Sequence, residues 1–422
     1  MKRFILMFSC FFAAISIAAQ GFTPNYDESK VPAYTLPALL VSESGKKIAS
    51  SEEWERVRRP ELMKVFADQM YGAIPSDPSV KSSYQLIEES ANAFGGKAIR
   101  KQIKLTMSNG RESKEAILLI YVPKRKQGEK VPVMLGLNFQ GNQTVDMDEA
   151  IIPTDVWGLK DKTSKYPRGA QSTRWCVEYL IDNGFALVTA CYHNFYPDDP
   201  SMEKESILPL FSDYQKSKGT PEAPQAIAAW AYGLNRIMDY IEQEPLLNAK
   251  QVVLTGHSRL GKAALWAGAS DGRYAIVVSN NSGCGGAALS KRVYGETIAR
   301  ITTAFPHWFC LNYNQYANKE ASMSFDQHQL LALIAPRPLY VASATDDQWA
   351  DPKGEFLAVR ETASVYSLYS LPAITESEQP KPENPLHTTV GYHLRTGKHD
   401  VTLYDWQQYV TFAKYHFDKE SK

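Results

Sequence analysis

The sequence predicts an α/β fold in which a mostly parallel sheet lies between two layers of helices. Three observations lead to this prediction. The first two predicted strands follow each other through a short turn, as antiparallel neighbours do. Apolar strands then alternate with helices, which is typical of a parallel sheet covered on both faces. A serine stands in a tight turn between the fifth predicted strand and a helix of small residues, at Gly256-His257-Ser258. Together these features describe a three-layer α/β-hydrolase layout.

The elements can be justified in chain order. Segment 98–105 alternates apolar and polar residues, as an exposed strand does, and the turn at 108–110 leads into a second strand at 116–122. Segment 131–139 is almost wholly apolar, which indicates a strand buried on both faces. Helix 223–242 carries apolar residues at three- and four-residue spacing. The remaining predicted strands are 186–190, 251–255, 274–279, 338–343 and 389–394, and the remaining helices are 173–183, 354–366 and 405–416.

The N-terminus has the three-part pattern of a secretory signal peptide. Lys2 and Arg3 precede an apolar run that reaches about Ile17, and small residues follow at 18–19. We therefore expect residues 1–19 to be removed and the protein to be exported, to the periplasm or the exterior. A lipoprotein anchored at Cys10 is the weaker alternative, because only a short apolar stretch precedes that cysteine. Residues 20–95 are expected to form an extension packed on a catalytic domain at 96–422, with a helix at 62–72.

Composition excludes some partners. The chain of 422 residues has 46 basic and 46 acidic side chains, so no net field attracts nucleic acid. No later segment is apolar enough to predict a membrane span. The sequence does not decide the oligomeric state, and a monomer is the simpler expectation. Two long connections, 141–172 and 282–330, follow the carboxyl ends of strands, where ligand sites of such sheets lie.

Four cysteines remain after the signal segment. No two are spaced C-x-x-C, so a structural zinc site is not expected. An oxidising compartment permits disulfides, and Cys284 with Cys310 is the preferred pair because both lie in one connection. Four buried thiols, with Cys176 and Cys191, are the alternative.

The chemistry indicated by the motifs is nucleophilic catalysis. A serine hydroxyl needs a base to take its proton and a carboxylate to orient that base. In this fold the order is serine, acid, histidine. Asp347 follows a predicted strand end 89 residues after Ser258, and His399 follows the last strand another 52 residues on. We assign Ser258 as nucleophile, Asp347 as acid and His399 as base, with Asp346 as a fallback for the acid and Asp351 as a weaker one.

The oxyanion is expected to bind the backbone N–H of Arg259, the residue after the nucleophile, and also its guanidinium. The loop at 138–143 replaces the glycine-rich loop that usually supplies a second donor. His257 precedes the serine, and its side chain is expected to leave the turn on another side. The other histidines, His328 among them, are interpreted as structural.

The motif Gly256-His257-Ser258-Arg259-Leu260-Gly261-Lys262 departs from G-x-S-x-G, because Leu260 stands at the second glycine. It resembles the G-x-S-R-x-G-K signature of the glucuronoyl esterases, carbohydrate esterase family fifteen. Segments 279–287, 335–338 and 347–352 resemble the bacterial branch, and the likeness covers about residues 95–418.

The resemblance implies a serine esterase that cleaves esters between 4-O-methyl-glucuronate on glucuronoxylan and alcohols of lignin, without a metal or other cofactor. It also implies that Lys262, Glu296 and Trp349 contact the sugar. Some members carry a catalytic glutamate after the sixth strand, where this chain has Asn281. An amide cannot hold a negative charge, so Asp347 is expected to act alone.

Two other functions stay open at this stage. An acetyl xylan esterase, or another carbohydrate esterase, shares the same triad but does not need Arg259 and Lys262 to read a uronate. A non-catalytic carbohydrate-binding relative of hydrolases is the second alternative. The alcohol side of the substrate and the preferred xylan length cannot be deduced from the sequence.

Overall fold

The computed structural model describes residues 22–126, 128–154 and 166–420. The expected signal segment at 1–19 and its Cys10 lie outside the described residues, as does the middle of the long connection 141–172. Within the described part of the chain, no helix is both long enough and apolar enough to cross a bilayer.

One sheet of ten strands organises the molecule, in the spatial order β1-β2-β3-β5-β4-β6-β7-β8-β10-β9. Its strands are β1 Lys81–Ala93, β2 Ala98–Ser108, β3 Ser113–Pro123, β4 Val131–Asn138, β5 Ala186–Cys191, β6 Leu247–His257, β7 Ile276–Asn280, β8 Leu339–Ala344, β9 Leu386–His387 and β10 Val390–Arg395. Strands β1 to β3 pair antiparallel, and β3 joins β5 antiparallel. In the spatial order, the neighbouring pairs from β5 to β10 are parallel, and β9 pairs antiparallel with β10 at the far edge. The predicted α/β-hydrolase architecture is thus confirmed.

Helices cover both faces of the sheet. The α-helices are α1 Ser51–Glu53, α2 Arg59–Phe66, α3 Ser172–Trp175, α4 Val177–Asp182, α5 Ser212–Ser217, α6 Ala226–Gln243, α7 Arg259–Ser270, α8 Ile298–Ala304, α9 Gln327–Ala332, α10 Pro352–Glu361, α11 Ala363–Ser367 and α12 Leu403–Glu420. Two π-helical turns, Trp54–Arg58 and Ala67–Tyr71, continue α1 and α2.

Each face has its own apolar core. Helices α6 and α7 bury a large cluster that includes Trp230 and Trp266 on one face. Helices α4 and α12 bury a second cluster, with Leu180 and Phe412, on the other. Burial of this much apolar surface is the main stabilising contribution to such a fold. The two layers fix the strand ends between them, and those ends carry the side chains described below.

Strand β1 was not predicted. It lies within residues 20–95 and pairs along β2, so this part of the chain extends the sheet rather than only packing against it. Farther toward the N-terminus, the His328 imidazole Nε2 is 2.9 Å from the carbonyl oxygen of Pro37. That contact gives the histidine the structural role expected of it.

Two further expectations are corrected. The helix expected at 173–183 is two short helices, because Cys176 between them has φ +44°, which an α-helix does not accommodate. The disulfide between Cys284 and Cys310 is not formed, and both residues are free thiols. Burial raises the pKa of the Cys310 thiol to about 11 and that of Cys284 well above its usual value, so both stay protonated at neutral pH.

Candidate active site

Ser258 occupies a strained turn between β6 and α7. Its backbone has φ +56° and ψ −128°, a conformation that non-glycine residues rarely adopt. The turn is so tight that a Cβ on Gly256 would lie 2.0 Å from the Leu260 carbonyl oxygen. Arg259 begins α7, so its N–H belongs to the helix N-terminal donors that have no intrahelical partner. A serine held in this way is presented at the positive end of a helix dipole.

The departure of the motif from G-x-S-x-G has a packing explanation. Leu260 is buried in the core, with 2% of its surface exposed. The close approach falls instead at Gly261, where an added Cβ would be 2.9 Å from the side chain of Ser282. The second small residue is therefore needed one position later, against the segment that follows β7.

Asp347 and His399 form a direct pair. The imidazole Nδ1 of His399 lies 2.6 Å from the Asp347 Oδ2, across 52 residues of sequence. The same carboxylate oxygen accepts a hydrogen bond of 2.7 Å from the side-chain amide of Asn281. The Asp347 side chain is 3% exposed, whereas that of His399 is 40% exposed. The Asp347 carboxylate is thus enclosed, and the His399 imidazole reaches solvent on its other side.

The alternative acids have other partners. Asp346 accepts a hydrogen bond from the Thr345 hydroxyl. Asp351 forms a buried ion pair with Arg292 and caps the first turn of α10 through the N–H of Gly354. Of the three carboxylates considered, only Asp347 contacts the histidine.

A cavity of about 360 Å³ lies in front of these groups. All seven residues selected from the sequence line it, namely Ser258, Arg259, Lys262, Glu296, Asp347, Trp349 and His399. Its volume is within the range of pockets that hold small molecules. Among the residues that the structure describes, no group of histidine, cysteine, aspartate and glutamate side chains is arranged to hold a metal ion.

Arg259 is held by a carboxylate that the sequence did not reveal. Its Nη1 forms an ion pair with Asp198, in the loop after β5. Asp198 also accepts hydrogen bonds from the Tyr192 hydroxyl at 2.8 Å and from the Trp308 indole at 2.7 Å, and its Oδ1 lies 2.8 Å from the His307 Nε2. Burial alone would raise the pKa of Asp198, but these bonds and the guanidinium charge hold it well below its usual value. Asp198 is therefore an anion at neutral pH.

Aromatic rings fix the guanidinium from the sides. The Arg259 Cζ lies 4.6 Å from the ring centre of Trp308, 5.4 Å from that of Phe305 and 5.9 Å from that of Phe139. Its Nε has no hydrogen-bond partner among the described residues, although it is buried. This N–H is therefore a donor that the described protein groups leave unsatisfied.

Lys262 and Glu296 form the polar wall of the cavity. The Lys262 ammonium donates to the carbonyl oxygen of Ser282, and the residue is 3% exposed. Burial lowers the pKa of Lys262, partly offset by the nearby charge of Glu296. Burial likewise raises the pKa of Glu296, and the Lys262 charge opposes that rise. The two charges compensate each other inside the cavity, and both side chains keep donor or acceptor capacity for a polar ligand.

Trp349 is positioned from two directions. Its carbonyl oxygen accepts the N–H of Glu296 at 2.9 Å, which ties it to the polar wall. Its indole meets the ring of Phe22 edge to face, with centres 5.8 Å apart. The residues just after the expected signal segment thus contribute to the support of this wall.

A buried acid lies behind the cavity. Glu355, on α10, accepts the N–H of Gly283 at 2.9 Å and the hydroxyl of Ser343 at 2.6 Å. Complete burial raises the pKa of Glu355 to about 8, and the charge of Asp347 acts in the same direction. Glu355 is thus largely neutral at pH 7 and joins the segments that follow β7 and β8.

The His257 side chain does not line the cavity beside Ser258, but its ring packs beside the imidazole of His399, with ring centres 4.4 Å apart and planes at 43°. Its Nδ1 is 2.6 Å from the side-chain oxygen of Asn280. Burial, and then the proximity of His399, lower the pKa of His257 well below its usual value, so it stays neutral.

Sequence reasoning missed Asp198, Phe305, His307 and Trp308. The available signals were general: 305–308 lies in the long connection 282–330, and Asp198 follows the end of β5. Neither segment has a motif that names its role, because the contacts to Arg259 form only in the folded chain.

Comparison with known proteins agrees with this geometry. A family model described as glucuronyl esterase of fungi matches residues 178–370. The chain is 44% identical over 405 residues to carbohydrate esterase MZ0003 from an unknown prokaryotic organism. The matched region covers 93% of this chain and 92% of that protein. The chain belongs to the glucuronoyl esterases of carbohydrate esterase family fifteen.

Solved structures support the assignment of this glucuronoyl esterase to carbohydrate esterase family fifteen. A promiscuous family-fifteen esterase from a marine bacterial metagenome superposes with a TM-score of 0.86 at 42% identity, over 93% of this chain and all of that one. The glucuronoyl esterase of Solibacter usitatus gives a TM-score of 0.87 at 43% identity, over 92% of this chain and 99% of the other. The chain is therefore an esterase of this family with bacterial relatives, as the sequence motifs had indicated.

Proposed function

We propose that this glucuronoyl esterase hydrolyses esters of 4-O-methyl-glucuronic acid, with Ser258, His399 and Asp347 as its catalytic triad. The observation that carries the proposal is the single cavity in which the serine, the histidine–carboxylate pair and a wall of Arg259, Lys262, Glu296 and Trp349 meet. A fungal relative from Wolfiporia cocos, 30% identical over 49% of this chain and 54% of its own, is named a 4-O-methyl-glucuronoyl methylesterase. That name supports the same substrate class.

The cavity wall suits a uronate ester. The Trp349 indole offers a flat apolar surface to a pyranose ring, while Glu296 accepts from sugar hydroxyls and Lys262 donates to them. The ester itself is uncharged, and each charge of the wall has an opposite charge nearby: Glu296 acts on Lys262, and Asp198 forms an ion pair with Arg259. A neutral ester can therefore enter without leaving a buried charge uncompensated.

Acylation of the serine is the first step of the proposed reaction. The His399 Nδ1 is engaged by Asp347, so Nε2 is the nitrogen that takes the proton of the Ser258 hydroxyl. The serine oxygen attacks the C6 carbonyl carbon of the uronate, and the carbonyl oxygen becomes negative. The imidazolium then returns its proton to the ester oxygen, and the alcohol leaves from the glucuronoyl-enzyme.

Water completes the cycle. His399 takes a proton from the water, the hydroxide attacks the acyl carbon, and collapse of the second tetrahedral intermediate returns the proton to Ser258 and releases glucuronate. In both steps the negative oxygen is stabilised by the Arg259 N–H at the start of α7 and by its guanidinium, whose Nε has no partner among the described residues. Donors that are fixed beforehand stabilise developing charge more than they stabilise the neutral ester.

A substrate panel tests the proposal. We expect hydrolysis of benzyl and methyl glucuronate, with much weaker release of acetate from acetylated xylan. Ser258→Ala should abolish turnover, whereas Ser270→Ala, at the other end of the same helix, should leave it unchanged; Ser270 bonds only back to its own helix through the Trp266 carbonyl in the bonds described. Faster acetate release would instead indicate an acetyl xylan esterase. Failure of Ser258 to react with a fluorophosphonate would indicate a non-catalytic relative.

Export and the natural substrate extend the proposal. The charged, apolar and small-residue pattern of residues 1–19 supports export to the periplasm or the exterior. There the esterase would act on glucuronoxylan esterified to lignin alcohols, as the family resemblance implies. Mass measurement of protein recovered outside the cytoplasm tests export, because cleavage near Ala19 removes a defined mass. Recovery of the uncleaved chain in the cytoplasm would contradict it.

A further inference from the structure

A network of buried polar side chains lies behind His399, and none of its members lines the cavity beside Ser258. Its centre is Asp405, in the first turn of α12, which is fully buried. Its Oδ1 accepts the Asn280 amide at 3.1 Å and lies 2.9 Å from the His393 Nε2. Its Oδ2 accepts the Arg395 Nε at 2.9 Å. The pKa of Asp405 is lowered because these bonds outweigh its burial, so the group is an anion.

One arm of the network reaches His399 through an amide and a ring. Because the Asp405 carboxylate only accepts, Asn280 must turn its NH₂ group toward it, and the same amide nitrogen is 2.7 Å from the Tyr409 hydroxyl. The Asn280 oxygen then faces His257, 2.6 Å from Nδ1, which places the proton of the neutral imidazole on that nitrogen. The ring so fixed packs against His399.

The other arm reaches the loop that carries the histidine. Arg395, paired with Asp405 through Nε, donates from Nη2 to the carbonyl oxygens of Lys398 at 2.7 Å and Asp400 at 2.6 Å. These two carbonyls belong to the residues on either side of His399. A planar guanidinium held at one nitrogen by a carboxylate can present its remaining N–H groups in only one plane. The backbone on both sides of the base is thereby fixed.

We propose that Asp405 is a positioning residue that sets the placement of His399, acting on its ring through Asn280 and His257 and on its loop through Arg395. The proposal rests on the proposed role of His399 as base. Asp405 touches no substrate, but it determines which way an amide faces, which nitrogen of His257 carries a proton, and where the 398–400 backbone lies. An error of about 1 Å in the placement of a catalytic group can cost on the order of a hundredfold in rate.

Asp405→Asn tests the proposal because it keeps the shape and removes one acceptor. The new NH₂ group must face a donor, either the Asn280 amide or Arg395, so at least one arm is broken. We expect kcat for benzyl glucuronate to fall at least about tenfold, KM to change less than about twofold, and the rate of Ser258 labelling by a fluorophosphonate to fall in parallel with kcat. We also expect the low-field proton resonance of the His399–Asp347 pair to shift or broaden.

Asp326→Asn is the matched control. Asp326 is also fully buried. It caps α9 through the N–H of Gln327 and binds the N–H groups of Ser290 and Lys291. We expect that variant to lose thermal stability while kcat, labelling rate and the low-field proton stay as in the parent protein. If Asp405→Asn also loses only stability, the proposal is wrong.

Arg395→Lys provides a second route if Asp405→Asn does not fold. A lysine keeps the positive charge beside Asp405 but cannot reach both loop carbonyls from a fixed plane, so it should give the same fall in kcat and in labelling rate. Parent-like values for both would overturn the proposal. Fluorophosphonate labelling requires an activated Ser258 but no uronate. It therefore tests the placement of His399 even if the proposed glucuronate substrate is wrong.

Discussion

Asn281 donates its side-chain amide to the same oxygen of Asp347 that bonds the imidazole of His399, at 2.7 Å and 2.6 Å. The position at which the family resemblance implies a glutamate in some members thus holds a neutral donor that orients the Asp347 carboxylate. One charge faces the imidazolium that forms during reaction, and a second carboxylate so close to Asp347 would raise the pKa of the pair. In the proposed triad the acid function therefore rests on Asp347 alone.

Replacement of the acid and of its amide neighbour should have very different effects. We expect Asp347→Asn to lower kcat by about 10³- to 10⁴-fold, because the His399 ring loses both its orientation and the charge that stabilises its protonated form. Asn281→Ala should cost about tenfold or less, since the His399–Asp347 bond persists. Steady-state kinetics on methyl glucuronate measure both. A larger loss in Asn281→Ala than in Asp347→Asn would move the essential group to the end of β7.

Asp198 should matter for the rate although it does not line the cavity. We expect Asp198→Asn to lower kcat by about 10²-fold, the scale for loss of one oxyanion donor, because the Arg259 guanidinium loses its anionic partner. The matched control is Asp199→Asn, where the carboxylate accepts from Ser201 in an exposed turn, and its kcat should be unchanged. Equal rates in the two variants would show that the aromatic rings alone hold Arg259.

Glu355 should make stability fall as pH rises. Its folded pKa of about 8 lies above its unfolded value near 4.5, so between these values the folded state binds more protons and each rise in pH favours unfolding. Glu355→Gln does not ionise, so it should melt at a higher temperature than the parent protein at pH 9. The gain in Tm should be at least about 3 °C larger at pH 9 than at pH 5. A gain that does not depend on pH would contradict the assignment.

Trp349 should affect substrate binding more than chemistry. We expect Trp349→Ala to raise KM for benzyl glucuronate about tenfold or more, with kcat within about threefold, because the apolar face acts on bound ester and transition state alike. Trp349→Phe keeps a flat ring and should restore most of the affinity. A fall in kcat with unchanged KM would place the indole near the reacting atoms instead of the sugar.

Much of the sheet could be predicted because strands that are buried on both faces consist of continuous runs of apolar residues. Strand β4 and the strand before Ser258 show this clearly, and the proposed triad was chosen from its order on strand ends, of which the His399–Asp347 contact is seen in the structure. Strand β1 could not be found in this way, since it lies at the sheet edge and most of its side chains are exposed or half-buried. An edge strand that is exposed to solvent on both faces lacks the alternation of apolar and polar residues that reveals other strands.

The partners of the triad were less predictable than the triad itself. Asp198 reaches Arg259 across 61 residues, and His257 meets His399 across a still longer separation. Single residues in loops have no periodic signal, and their roles arise only from the tertiary packing of strand ends. The disulfide expectation failed for the same reason, because sequence proximity does not fix the distance between two thiols.

The edge-to-face contact of Phe22 with Trp349 bears on how the protein should be handled in the laboratory. Phe22 stands three positions beyond the proposed cleavage point, so changes at the mature start would act on a residue that contacts the indole. Affinity tags are better attached after α12, and mature chains trimmed by a few residues should bind sugar esters more weakly even though every catalytic side chain is intact.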